Sequence, residues 1–229
     1  MSEIKNKTLV SLGISCQTTH QLRRLADSHQ EPDLPSALTT EPGPFDWLIC
    51  PLASTTELLN RRIPDFTESN IQIHNNRPYW ADLDIYFWHN FLVTEQGKRI
   101  VDIQATLEQE LQRWRYLRAR FAALDPAQTV FVISNTQNNL ETEVFTEKEH
   151  EKYYFTNAGL DALIQSLAEY FRTRASKIHV QIVTRRERAE ELNGNKKVSY
   201  FPLDQNEWKG SKESWNNWWQ QLEVYPAVS

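Results

Sequence analysis

The sequence predicts an α/β protein, a mostly parallel β-sheet flanked by helices, on three observations. Four short segments, "TLVSLG" (8–13), "TVFVIS" (129–134), "IHVQIVT" (178–184) and "VSYFPL" (198–203), are β-branched or aromatic and apolar at nearly consecutive positions. That is how strands covered on both faces read. Helical periodicity falls between them, and strands alternating with helices imply a parallel sheet with crossovers over its faces. The length of 229 residues suits one well-filled core, so 1–229 reads as a single domain.

Each element has its own justification. The first strand ends at Gly13, and the helical segment that follows it contains Cys16. Residues 28–44, "SHQEPDLPSALTTEPGP", are rich in proline and polar residues and predict a loop or lid. Residues 70–97 are aromatic and irregular and read as an insertion, with a strand expected at Ile85–Phe91. From Ile103 to Leu124, the residues Leu107, Leu111, Trp114, Leu117 and Phe121 recur at three or four positions, with arginines on the other faces. This is an amphipathic helix. A second stripe (Leu160, Leu163, Ile164, Leu167, Phe171) predicts a helix over 157–174, and a last helix spans 211–222.

Composition narrows the function. The net charge of -5 and the pI near 5.7 argue against a broad basic face for nucleic acid. Two cysteines, Cys16 and Cys50, make no disulfide framework and fit a reducing compartment. The opening "MSEIKNKTLV" carries no apolar signal region, and no apolar run approaches a membrane span. A cytoplasmic protein is expected, without membrane contact. Six glycines, none arranged as a phosphate-binding loop, and the lack of zinc-type spacing or an HExxH motif predict neither cofactor nor metal.

In an open parallel sheet, function gathers at the carboxyl ends of the strands. Cys16 follows the first strand at a helix start, where unpaired amides favour a thiolate, and the amides of Cys16 and Gln17 would receive an oxyanion. The competing reading is a small apolar residue closing the turn. Of six histidines, His89 in "YFWHNF" is the most suggestive base, because the aromatics would exclude water; a satisfied histidine in an aromatic cluster accounts for the pattern equally well. Asn135 and Asp204 follow strands and Asp46 sits between aromatics in "GPFDWL". Any of the three would orient the imidazole, and each also suits a cap or turn. The basic run "TRRERAEELNGNKK" has compensating glutamates and reads as a solvated helix and turn; the alternative is a phosphate or carboxylate held at the strand end by Arg185 or Arg186.

The motifs "VSLGISCQTTHQLRR", "GPFDWLICP" and "FWHNF", with "WKGSKESW" at 208–215, resemble a bacterial family of unknown function classed with papain-like cysteine peptidases. The resemblance spans Val10 to Trp219 and implies Cys16 as nucleophile and His89 as base, with Asn90 standing where that family often has aspartate. "SCQ" is also similar to the "GNCQ" turn of a capsule-polysaccharide acetyltransferase family. The strands point to a flavodoxin-like or SGNH-hydrolase-like sheet rather than a papain barrel.

Together these features predict a cysteine-dependent acyl-transfer enzyme, hydrolase or acyltransferase. Cys16 attacks a carbonyl, His89 carries the proton, and Asn135, Asp204 or Asp46 orients it. Trp80, Trp88 and Arg185 contact a small-molecule, glycan or peptide substrate. The alternative is a non-catalytic module in which Tyr79, Trp80, Tyr86, Trp88 and Arg185 grip a sugar, nucleotide or peptide.

Overall fold

A computed structural model describes residues 7–27, 39–137, 151–194, 196–203 and 208–222. The chain begins with β1 (Thr8–Ile14), α1 (Cys16–Asp27), β2 (Thr39–Thr40), β3 (Leu48–Ile49) and α2 (Leu52–Asn60). It continues through β4 (Ile71–His74), β5 (Arg77–Trp80), β6 (Ile85–Phe87), β7 (Leu92–Glu95) and β8 (Lys98–Val101). Then come α3 (Ile103–Ala122), β9 (Thr129–Ser134), α4 (Asn157–Tyr170), β10 (His179–Thr184), β11 (Lys197–Tyr200) and α5 (Lys212–Leu222).

The main sheet is parallel throughout, in the order β11-β10-β9-β1-β2. Counted along the chain its strands lie 2-1-3-4-5, the flavodoxin-like doubly wound order, as the α/β reading predicts. Alternate residues of each strand serve different cores. Val10, Leu12, Phe131, Ile133, Val180 and Ile182 face the larger one, with α2, α3 and α4. Leu9, Val130, Val132 and Val183 face Leu22 and Leu25 of α1 and Trp215, Trp218 and Trp219 of α5. Both faces are therefore dry, which is why the strands read as apolar at nearly consecutive positions. Among the described residues no helix is long and apolar enough to cross a membrane.

Segment 70–97 departs from the irregular insertion expected of it. With β3 it forms a four-stranded antiparallel sheet, β3-β6-β5-β4, followed by the β7–β8 hairpin. Gln96 and Gly97 both have positive φ, 47° and 77°, as a tight two-residue hairpin turn requires. The strand expected at Ile85–Phe91 stops at Phe87, since the chain bends and Phe91 turns left-handed with φ 59°. Its aromatics are mostly core. Phe66, Trp80 and Phe87 surround Trp114 of α3, with Phe91 packed on Phe66 and Phe87, and the Trp114 indole N–H donates to the Pro64 carbonyl at 2.9 Å.

Local chemistry sets most boundaries. Asp102 caps α3 by accepting from the Ala105 amide, and Thr156 caps α4 by accepting from the Gly159 amide. The helix read over 157–174 ends at Tyr170, shortly before Arg172 turns left-handed with φ 53°. Of the loop read over 28–44, residues 39–40 form β2 at the sheet edge and 28–38 lie outside the described residues. The antiparallel sheet is tied to β1 directly, because the Cys50 amide donates to the Ile14 carbonyl at 2.8 Å.

Candidate active site

A 2-1-3-4-5 sheet opens a crevice where the connections leave its strands in opposite directions, here beyond the carboxyl ends of β1 and β9. Gly13 has φ +87°, a conformation that L side chains resist. From it the chain turns through Ser15 and enters α1 at Cys16. The Thr18 hydroxyl donates back to the Gly13 carbonyl at 2.9 Å and holds this turn.

Cys16 is therefore where a nucleophile would stand, but it is 3% exposed. Burial pushes its thiol up to about 12, and the neighbouring Asp46 carboxylate adds to that; the Cys16 backbone amide offsets it only in part. Desolvation outweighs the helix start, so the resting thiol carries its proton. Cys50 is likewise pushed up to about 12 by burial, and its sulfur lies 3.3 Å from the Thr55 hydroxyl.

Asp46 forms the opposite wall. Its carboxylate accepts from the Thr19 hydroxyl and the Arg23 guanidinium at 2.9 Å each and from the Gly43 amide at 3.3 Å. Burial raises its pKa all the same, against the opposing pull of Arg23, Thr19 and Gly43. Cys16, Thr19 and Arg23 lie at i, i+3 and i+7, one face of α1. Trp47 follows with φ 62°, a left-handed conformation that is rare for a bulky residue. Its ring meets His89 edge-on at 5.3 Å, and Arg23 stacks over it at 5.3 Å.

His89 is half-buried, and its pKa is lowered first by burial and then by Arg99 and Arg77. It is neutral near pH 7 and able to take a proton. Among the described residues no hydrogen bond joins it to Cys16 or to Asp46 or Asn135. Asn135 belongs elsewhere. Its amide N–H groups donate to the Tyr153 and Arg188 carbonyls at 3.0 Å, and its oxygen accepts from the Thr184 hydroxyl at 2.7 Å. That network braces the ends of β9 and β10 and holds Asn135 among Tyr153, Arg188 and Thr184. Asp204 lies outside the described residues.

The expected substrate contacts divide. Trp80 is 2% exposed and Tyr86 is 2% exposed with its hydroxyl on His74, so both are core rather than grip. Arg185 is also internal: 3% exposed, it donates to the Thr136 carbonyl at 2.8 Å. Trp88 keeps a half-open ring, with Arg77 stacked on it at 4.2 Å.

Sequence reasoning did not pair the residues that complete the crevice. The Gln17 side chain donates to the Trp208 carbonyl at 2.9 Å and accepts from the Thr136 hydroxyl, while Gln21 donates to the Lys209 carbonyl. The "WKG" turn is thereby clamped onto α1, and Trp208 meets His20 edge-on at 5.0 Å. Thr19 and Arg23 were visible as the helical repeat of Cys16, and Trp208 as the first residue of "WKGSKESW"; their contact across the chain was not. Gly210 completes the clamp with φ +73°, where an added Cβ would come within 2.6 Å of the Gln17 amide nitrogen. Gly210→Ala is expected to cost about 1–3 kcal/mol in urea unfolding, through backbone strain and the displaced glutamine.

Comparison with protein-family models, with curated proteins and with solved structures finds no match to this chain.

Proposed function

We propose that this chain is a cysteine-dependent acyl-transfer enzyme, hydrolase or acyltransferase, related to the papain-like-classed family that its motifs resemble. The observation that carries the reading is the position of Cys16, at the first turn of α1 and at the switch point of the parallel sheet. In the reaction the Cys16 sulfur attacks the carbonyl carbon of an ester, thioester or amide. The thiol proton passes to His89, neutral in the resting protein, and from there to the leaving group. Water or another acceptor then releases the acyl group. Two free cysteines suit a cytoplasmic setting, and the acidic net charge of -5 suits a small-molecule, glycan or peptide substrate over nucleic acid.

A second reading, a binding module, draws on the buried, protonated thiol, which among the described residues has no hydrogen bond to His89. One experiment separates the two. After incubation with p-nitrophenyl acetate, peptide mass spectrometry is expected to find acetyl on Cys16 and not on Cys50, with at least tenfold less in His89→Ala. Acylation absent from Cys16, or indifferent to His89, rejects the enzyme and leaves the binding module.

A further inference from the structure

Along β11, at the end of the parallel sheet, a groove of about 740 Å3 opens between the sheet and α5. Its size falls within the range of about 300–1,000 Å3 of small-ligand sites. No residue of α1 lines it, so it is separate from the Cys16 crevice. Two periodicities build it. In the parallel register of β10 and β11, Gln181 lies beside Lys197 and Val183 beside Ser199. Val183 shares a core with the tryptophans of α5, and side chains two apart on a strand face the same way. Gln181, Lys197 and Ser199 therefore turn toward α5. On that helix Ser214, Asn217, Trp218 and Gln221 stand at i, i+3, i+4 and i+7, a single stripe along the groove.

Gln181 is the residue that packing does not account for. It interrupts the apolar run of Val180, Ile182 and Val183 and is only 6% exposed. It lines the groove, and among the described residues its side chain has no hydrogen-bond partner. An amide taken out of water without a partner is costly, and a leucine would fill the same space. Ser199, Ser214, Asn217 and Gln221 likewise bring to the groove side chains that bond to no described residue. Hydroxyls and amides both donate and accept, so they match a ligand whose own groups do both. Tyr200, 37% exposed, and the half-buried Phe201 add aromatic surface for an apolar ring face. Lys197 and Glu213 also line the groove, and a ligand charge of either sign would meet one repelling group.

We infer that this groove binds a neutral saccharide, whose hydroxyls bond to Gln181 and to the polar stripe of α5 while a ring C–H face lies against Tyr200 and Phe201. The inference does not rest on the acyl-transfer reading.

The test is a titration of the full chain with cellobiose, maltose, lactose and diacetylchitobiose, and with triglycine as a peptide control, followed by saturation-transfer NMR. At least one disaccharide is expected to bind saturably at millimolar concentration or below, and triglycine is not. Gln181→Leu should weaken that binding about tenfold or more, because a sugar hydroxyl then faces a leucine without a partner. Its urea midpoint should hold or rise, since an unbonded buried amide has been replaced by an apolar group. Asn217→Ala or Gln221→Ala, both at exposed positions, should weaken binding about two- to tenfold, the loss of one hydrogen bond. Cys16→Ser should bind as the wild type does. Binding by none of the four sugars would leave the groove to water and overturn the inference. Triglycine binding would overturn it too, as would sugar binding indifferent to Gln181→Leu or to both α5 variants.

Discussion

Trp114→Ala is expected to lower the free energy of unfolding by about 3–5 kcal/mol, the range for removing a large aromatic from a packed core. Trp114 is 4% exposed and touches Phe66, Trp80 and Phe87, which together join α3 to the antiparallel sheet. Its removal leaves the Pro64 carbonyl without its indole donor as well as a void. Urea denaturation measures the loss. Trp114→Phe should keep more than half of the stability, since it fills most of the space and loses mainly the hydrogen bond. The effect reaches the site, because Phe91 packs on Phe66 and Phe87 two positions after His89. Loosening that anchor should reduce acylation of Cys16 even in molecules that remain folded.

The second large effect is alkaline. Both thiols are pushed up to about 12 by burial, whereas a free thiol titrates near about 8.5. A folded-state pKa above the unfolded one means that the native protein holds the proton longer. The stabilisation is complete below about pH 8.5 and is lost as pH rises toward 12. Within that window each pH unit costs about 1.4 kcal/mol per thiol. Unfolding curves of wild type, Cys16→Ala and Cys50→Ala at pH 7 and at pH 10 isolate these contributions from other titrations. The wild type should lose more stability over that interval than either variant. A Cys16→Ala protein with the wild-type slope would show the thiol to be hydrated. Iodoacetamide follows the same logic: both cysteines should label slowly at pH 7.5. Asp46→Asn should speed Cys16 labelling about two- to tenfold by removing a neighbouring negative charge, while burial keeps the pKa high.

The parallel sheet was legible because both of its faces are dry, so that Thr8–Ile14, Thr129–Ser134 and His179–Thr184 are apolar at nearly consecutive positions. The antiparallel sheet was not. In "IQIHNNRPYW" only Ile71, Pro78 and Trp80 are buried, and short half-covered strands leave little periodicity to read. Helix α2 escaped for another reason. Its buried Leu52, Thr55, Leu58 and Leu59 mix polar and apolar types on the inner face. At the site, Cys16 was found from its place after a strand, a local property. Its ionisation was not, since burial depends on what packs over the helix start from elsewhere. Asn135, Trp80 and Arg185 were singled out by type and position. Their partners, Tyr153, Arg188, Thr184, Trp114 and Thr136, lie on other elements.

The clamp between Gln17 and Trp208 joins residues 191 positions apart. Helix α5 covers α1 with three buried tryptophans from the same late stretch. As the chain leaves the ribosome, β1 and α1 emerge well before α5, the cover for Cys16's helix. Contacts of such long range are made late and slowly in folding. Until then the Leu22 and Leu25 face of α1 is bare and the thiol lacks the environment that keeps it protonated. Iodoacetamide should therefore alkylate Cys16 faster in truncated chains lacking residues 208–222 than in the finished protein, where labelling is slow.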